Sequence, residues 1–292
     1  MLAYRHSFHA GNHADVFKHI VQTAILNYYN EKDKPYWVVD THAGAGMYSL
    51  RTPHAQLKTE YMQGIAKLLG RDDLPALVQQ YVDLVHGVNG ETLEHYPGSP
   101  SITAALIRPE DKQKLFELHP TDFTLLREHF AGNRSVQMRQ SDGFAGLKSV
   151  MPPAPRRAVV LMDPSYELKE DYVHAVTALK EGIERFPQGT YVIWYPILNR
   201  PEWRRMIEKF EKMNVKWLSM SLKVAEPDEE GFGMQGSGLF VVNPPFVLEK
   251  QMREVLPFLV KVLGQFKGAG FDLAAYEPRI AKAAKQVNQY DL

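Results

Sequence analysis

Tyr36-Trp37-Val38-Val39-Asp40-Thr41-His42-Ala43-Gly44-Ala45-Gly46 is an apolar run that closes on an acid and passes into a glycine loop. Its β-branched and aromatic composition reads as a buried strand. The glycines read as a place where the backbone must come close to a ligand that a Cβ would block. The same unit recurs along the chain. Tyr36–Asp40, Lys114–Leu118, Val136–Gln140, Ala158–Met162 and Tyr191–Tyr195 each precede a turn and then a stretch of helical periodicity, the signature of a parallel, doubly wound α/β sheet.

Two further strands, Val215–Val224 and Gly238–Val242, are joined through Gly231, Gly233 and Gly236 rather than through a helix, so they pair antiparallel at the sheet edge. Seven strands ending in such a hairpin is the arrangement of the Rossmann-like class I methyltransferases. Residues 47–113 separate the glycine loop from the next strand, far more than the ~30 residues of a compact βαβ unit. The excess reads as a helical insertion at 52–96, carried by Leu77, Tyr81, Leu84 and Val85, within a domain formed by 1–51 and 97–292. Residues 12–30 read as one amphipathic helix, with Val16, Ile20, Ala24 and Phe17, Val21, Ile25, Tyr28 facing inward. The stretch after Gly264 reads as a peripheral helix or tail.

Bulk composition narrows the function. Lys+Arg and Asp+Glu both total 34, so no overall basic field exists, and any nucleic-acid contact must use a local patch. There is no cysteine, which excludes disulfides and thiolate chemistry. The first twenty residues hold Arg5, His6, His9, His13, Lys18 and His19 with no apolar block, so neither a secretory leader nor a membrane span is expected and the cytoplasm is.

The glycine loop lacks the third glycine of the dinucleotide fingerprint, Leu50 standing about where it would fall, which favours S-adenosylmethionine over NAD or a purely structural turn. Glu117 and Asp142 end the next two strands. There Glu117 can accept the ribose hydroxyls of an adenosine, while Asp142, with Gly143 and Phe144, can read and cover the adenine; their bland alternative is as ordinary helix N-terminal acids. Two segments resemble the [DN]-P-P-[YF] loop of amino-methyltransferases: Asp163-Pro164-Ser165-Tyr166 and Asn243-Pro244-Pro245-Phe246. The second is spelled better, but the first follows a parallel strand and so emerges beside Asp40, Glu117 and Asp142. We therefore expect Asp163 and the Pro164 carbonyl to hold the target amino group and Tyr166 to stack on the extruded base. Asn243–Phe246 is expected to terminate a strand.

The N-terminal run Tyr4-Arg5-His6-Ser7-Phe8-His9-Ala10-Gly11-Asn12-His13 offers aromatics, imidazoles and a cation suited to RNA, through Tyr4, Arg5 and Phe8. A metal site from His6, His9, His13 and His19 is the competing reading, weakened by Gly11-Asn12, which breaks the helix face that His9 and His13 would share. No metal is expected.

With Asp-Thr-His-Ala-Gly-Ala-Gly, Tyr-Pro-Gly-Ser-Pro, Glu-Leu-His-Pro and Trp-Tyr-Pro around Trp194, that run resembles the RlmJ family, bacterial methyltransferases acting on an adenine N6 of large-subunit (23S) ribosomal RNA, over residues 2–262. The resemblance implies adenosylmethionine contacts from His19, His42, Ser99, Glu117, Asp142 and Gly143, with Lys18 beside the donor's carboxylate, in addition to Gly44 and Gly46 of the glycine loop. It further implies catalysis at Asp163 and RNA contact near Tyr4. Ser165 departs from it, since the family has a second proline there. A catalytically weakened RNA-binding or assembly module, or an amino-methyltransferase acting on DNA or protein, is the alternative function. The domain is expected to act as a monomer.

Overall fold

The computed structural model describes residues 6–52, 59–90, 92–227 and 233–278. Chain order begins with a 3-10 turn His6–Phe8 and helix α1 (His13–Asn30), then β1 (Trp37–Asp40) and β2 (Met47–Ser49). Two 3-10 turns, Glu60–Gln63 and Ile65–Lys67, precede α2 (Ala76–His86), β3 (His95–Pro97), α3 (Ser99–Leu106), β4 (Lys112–Glu117), α4 (Pro120–His129) and β5 (Val136–Gln140). The remainder is α5 (Gly143–Val150), β6 (Ala158–Met162), α6 (Glu170–Arg185), β7 (Thr190–Ile197), α7 (Glu202–Glu211), β8 (Trp217–Lys223), β9 (Gly236–Val242), α8 (Leu248–Leu263) and β10 (Gly270–Tyr276).

The main sheet runs β10-β8-β9-β7-β6-β1-β4-β5. Strands β5, β4, β1, β6 and β7 are parallel, and β9 inserts antiparallel between β7 and β8. This is the Rossmann-like methyltransferase order with the expected hairpin, but with eight strands rather than seven. The eighth, β10, pairs antiparallel with β8 from Gly270↔Lys223 to Tyr276↔Trp217, where a helix or tail was expected. The segment shows no alternation of buried and exposed positions, because it lies on an edge with both faces largely open, and its alanines mimic helix composition.

A second expectation fails at the glycine loop. The loop leads not into a helix but into β2, which pairs with β3 in a two-stranded ribbon on either side of the insertion. The helix that would ordinarily follow β1 is deferred to α3. Gly98 N donates to Gly46 O at 2.9 Å, bringing the N-terminus of α3 back to the loop as though nothing intervened.

The insertion accounts for the burial of α1. Asn12 caps that helix, its side chain accepting from Ala14 N and Asp15 N at 3.0 Å. Instead of one inward stripe, every residue from His13 to Leu26 is buried, including His13, Asp15, Lys18, His19 and Gln22. The helix is roofed by α2, α3, α8 and the Glu60–Gln63 turn. A polar helix face in the interior must find partners or belong to a site, and this one does both. No helix among the described residues is long and apolar enough to cross a membrane.

Candidate active site

Parallel strands deliver their C-terminal residues to one edge of the sheet. Asp40, Glu117 and the Asp163 loop accordingly lie at that edge, and Glu117 and Asp163 line a cavity of about 300 Å³ there. Of the residues singled out in the sequence, Lys18, His19, His42, Gly44, Ser99, Glu117, Asp142, Gly143, Phe144, Asp163 and Pro164 line it. Gly46 does not. Its φ of +77° demands glycine, and a Cβ there would press on Leu126 and Phe130, so its role is to pack the loop on α4.

The floor is built by backbone proximity. Gly44 has φ +60°, and a Cβ on it would fall 2.1 Å from Tyr48 Oη. A Cβ on Gly143 would fall 1.8 Å from Thr41 O, so α5 begins directly against the end of β1. Glu117 clamps the loop, Oε2 accepting from Gly44 N at 2.7 Å and Oε1 from His119 N at 2.6 Å, and burial raises its carboxyl above the usual range. Asp142 caps α5 through Phe144 N at 2.9 Å and also lines the cavity, so the cap does not remove it from the site. The Phe144 and His42 rings meet edge-on with centroids 4.7 Å apart. Asp40, absent from the expected site, joins the elements: it accepts from Ser99 Oγ at 2.6 Å and His42 N at 3.1 Å, and burial lifts its pKa from 3.8 to about 6.

Two histidines stand neutral in this wall. Burial lowers His42 from 6.5 to about 4. Burial and then the Lys18 charge lower His19 to about 3. His19 lines the cavity; its Nδ1 meets Tyr96 Oη at 2.8 Å, whereas its buried Nε2 has no partner among the described residues. Together with the glycine cradle, this orphan makes a donor set that fits an adenosine-bearing cofactor: two carboxylates, neutral imidazoles and close-approaching backbone.

Asp163 marks the boundary with a second cavity of about 490 Å³, lined by His13, Asp15, Glu60, Trp194 and Pro196 among others. His6, Lys18, Asp163 and Ser165 face both spaces. Lys18 Nζ lies 2.5 Å from Asp163 Oδ2 and 2.8 Å from Asp15 Oδ1. Burial alone would lower this ammonium; Asp15 and Asp163 outweigh it and hold it above the ordinary lysine range. Asp15 in turn accepts from Gly11 N and meets His6 Nε2, both at 2.9 Å, so that it stays ionised despite burial. Lys18 is thus paired with two carboxylates while it lines the cavity. Asp15 was missed because a helical position with apolar neighbours gives no sign that the opposite face is buried too.

Tyr166 is also corrected. It is 1 % exposed, with φ +52°, its hydroxyl donating to Trp194 O at 2.8 Å and its carbonyl accepting from Arg200 Nη2 at 2.9 Å. The ring packs 4.5 Å from that of Tyr172 and lines neither cavity. It anchors the Asp163–Tyr166 loop, and an indole lining the second cavity is that of Trp194, whose buried Nε1 lacks a partner among the described residues. Ser165 supplies some of the stiffness of the absent proline, its Oγ accepting from Glu167 N at 3.4 Å. Phe8 is half-buried and lines neither cavity, while Tyr4 and Arg5 lie outside the described residues. His9 pairs with Glu60 at 2.9 Å, and no group of three or more possible metal ligands occurs among the described residues. Asn243 follows antiparallel β9 at the other end of the sheet, where its amide donates to Pro187 O and Gly189 O at 2.8 Å and closes a turn.

The family model described as ribosomal RNA large subunit methyltransferase D, RlmJ, matches residues 33–272. The chain is 47% identical over 261 residues to ribosomal RNA large subunit methyltransferase J of Escherichia coli (strain K12), covering 89% of this chain and 93% of that protein. It is 43% identical over 265 residues to the protein so named in Haemophilus influenzae, covering 90% and 94%. Among solved structures, protein LPL1258 of Legionella pneumophila superposes with a TM-score of 0.83 at 33% identity, covering 93% of this chain and 99% of that one. The chain therefore belongs to the RlmJ family of ribosomal RNA large subunit methyltransferases.

Proposed function

We propose that this enzyme transfers a methyl group from S-adenosylmethionine to the N6 amino group of an adenine in large-subunit (23S) ribosomal RNA. The observation that carries this reading is the meeting of two cavities at Asp163, one fitted to an adenosine and one open to a second planar ring. The bound sulfonium donor supplies an electrophilic methyl and loses its positive charge on transfer.

The chain's own groups do the rest. His19, Glu117 and Asp142 orient the donor across the glycine loop. An adenine extruded from its stack enters the second cavity against Trp194. Its amine is a poor nucleophile because the lone pair is delocalised into the ring. The Asp163 carboxylate and the Pro164 carbonyl each accept one N–H, holding the nitrogen so that the lone pair points across the boundary. Lys18, kept charged by Asp15 and Asp163, fixes the Asp163 carboxylate through Oδ2; Oδ1 forms no hydrogen bond among the described residues and is left to the amine. Asp163 then takes the proton released on alkylation.

Labelled donor should pass its methyl to protein-free ribosomal RNA, and not to DNA or protein. The donor should also raise the melting temperature where NAD does not, by about 2.7 kcal/mol of stability at one hundred times its dissociation constant. Equal stabilisation by NAD, or labelling of DNA or protein in place of RNA, overturns the reading. Donor binding without transfer to any acceptor would make the chain an RNA-binding module.

A further inference from the structure

At the opposite half of the same sheet the chain carries cations that the chemistry at Asp163 does not use. In parallel strands, residues in register share a face. Trp37↔Lys112, Val39↔Lys114, Lys114↔Gln137 and Phe116↔Arg139 therefore point to one side, the side covered by α5. That helix has eight residues and reaches ~12 Å, whereas the six residues of β4 span ~20 Å. The helix runs out first, and beyond it lies a pocket of about 170 Å³ lined by Trp37, Lys114, Gln137, Arg139, Ser149 and Met151 among others.

This pocket has no carboxylate in its lining. Lys114 is 9 % exposed, its Nζ 4.1 Å from the centroid of the Trp37 ring and 2.5 Å from Gln137 Oε1. Arg139 is held by Ser149 Oγ at 2.8 Å. Both cations thus have neutral partners, and neither forms an ion pair among the described residues. Burial first, then Arg139 and Lys112, lower the Lys114 ammonium below the ordinary lysine value. Some surface cations of this chain are paired with carboxylates, as in Arg71–Asp73, Lys148–Glu181 and Arg253–Glu249. Sheet edges often carry cations to discourage strand pairing, but such side chains point into solvent; here they converge on a recess with an aromatic wall and hydrogen-bonding amide and hydroxyl groups.

We propose that this recess is a phosphate site, and that in the working complex it holds a backbone phosphodiester of the substrate RNA between Lys114 and Arg139. The inference rests on the reading that the acceptor is RNA. With equal numbers of acidic and basic residues the molecule has no general field for a polyanion, and neither cavity at Asp163 offers an unpaired cation. Affinity for a long RNA must then come from a local cluster free of carboxylates, and phosphate contacts fix register without reading sequence.

The test compares wild type with Lys114→Gln/Arg139→Gln, which keeps hydrogen-bonding groups, and with Arg253→Gln/Lys261→Gln, which removes equal charge elsewhere. Binding of a labelled large-subunit ribosomal RNA fragment is measured across a KCl series, methyl-donor binding by calorimetry, and folding by thermal melting. The first variant should bind RNA about tenfold or more weakly at low salt. The slope of log affinity against log salt should fall by ~0.7–0.9, as expected for losing one neutralised phosphate. Donor binding should stay unchanged, and the second variant should match wild type. Unchanged RNA affinity and slope in a folded Lys114→Gln/Arg139→Gln protein overturns the proposal while leaving the RNA substrate intact. Absence of RNA binding by wild type overturns the RNA reading itself. Titration with inorganic phosphate separates the source: saturable phosphate binding lost in the first variant, with RNA affinity unmoved, would make this a free-anion site and refute the RNA assignment.

Discussion

Lys18 joins Asp15 and Asp163 in the interior, and removing it leaves two carboxylates facing each other without a cation. Breaking a buried pair on one side typically costs about 3–5 kcal/mol, whereas removing both partners costs far less. Lys18→Met should lower the melting temperature markedly and abolish most turnover. Adding Asp15→Asn should recover stability without recovering rate, because Asp163 still lacks its orienting partner. If Lys18→Met turned over normally, Asp163 would not depend on that contact. At this scale the position of a residue was legible where it sits at a strand end, as with Glu117, Asp142 and Asp163, since topology alone brings such residues to one edge of the sheet and here to one cavity. It failed where a side chain's direction depends on tertiary packing. Tyr166 looked like a stacking surface but turns inward at positive φ to bond Trp194 O, and nothing in the spacing of Asp163-Pro164-Ser165-Tyr166 reveals that.

Among the elements, α5 is the most tightly constrained. Its first residue touches the end of β1 so closely that a methyl on Gly143 would overlap Thr41 O. Gly143→Ala should push α5 outward, shift Asp142 and Phe144 away from the cavity, and weaken donor binding about tenfold, in line with a repacking cost of ~1–3 kcal/mol. Calorimetry checks this, and undiminished affinity in a folded variant would detach α5 from the donor site. The five parallel strands were legible because apolar runs and turns repeat. Less legible was the path between β1 and α3. The insertion disguises which helix belongs to β1, and the recovered Gly98–Gly46 hydrogen bond appears only in three dimensions. The same insertion buries both faces of α1, where periodicity shows only one.

For the whole molecule, buried titratable groups set the acid response. His13, His19 and His42 have folded pKa values of about 4, 3 and 4 against an ordinary 6.5. A lowered histidine stabilises above the unfolded value, and that contribution is lost as pH falls through the interval, because the unfolded chain takes up the proton first. Asp40 works the other way between about 6 and 3.8, since its folded form takes the proton first. Glu117 and Asp171, raised by burial, act in the same sense as Asp40, but the three imidazoles span the whole interval, so stability should decline as pH drops from 6.5 toward 4.5. His42→Asn should flatten the decline by up to ~1.4 kcal/mol per pH unit. Melting curves across that range check the sign; rising stability toward acid would mean these imidazoles are charged in the fold.

The sheet also sends its two proline loops to opposite ends, Asp163 to the cavities and Asn243 to a closed turn. Single-turnover transfer from labelled donor to protein-free large-subunit ribosomal RNA, followed by identification of the modified nucleoside, tests this placement most directly. The predicted result is N6-methyladenosine from wild type and from Asn243→Ala, with Asp163→Ala still binding donor but slowed ~10²–10⁴-fold. An active Asp163→Ala beside a folded, inactive Asn243→Ala would contradict the account.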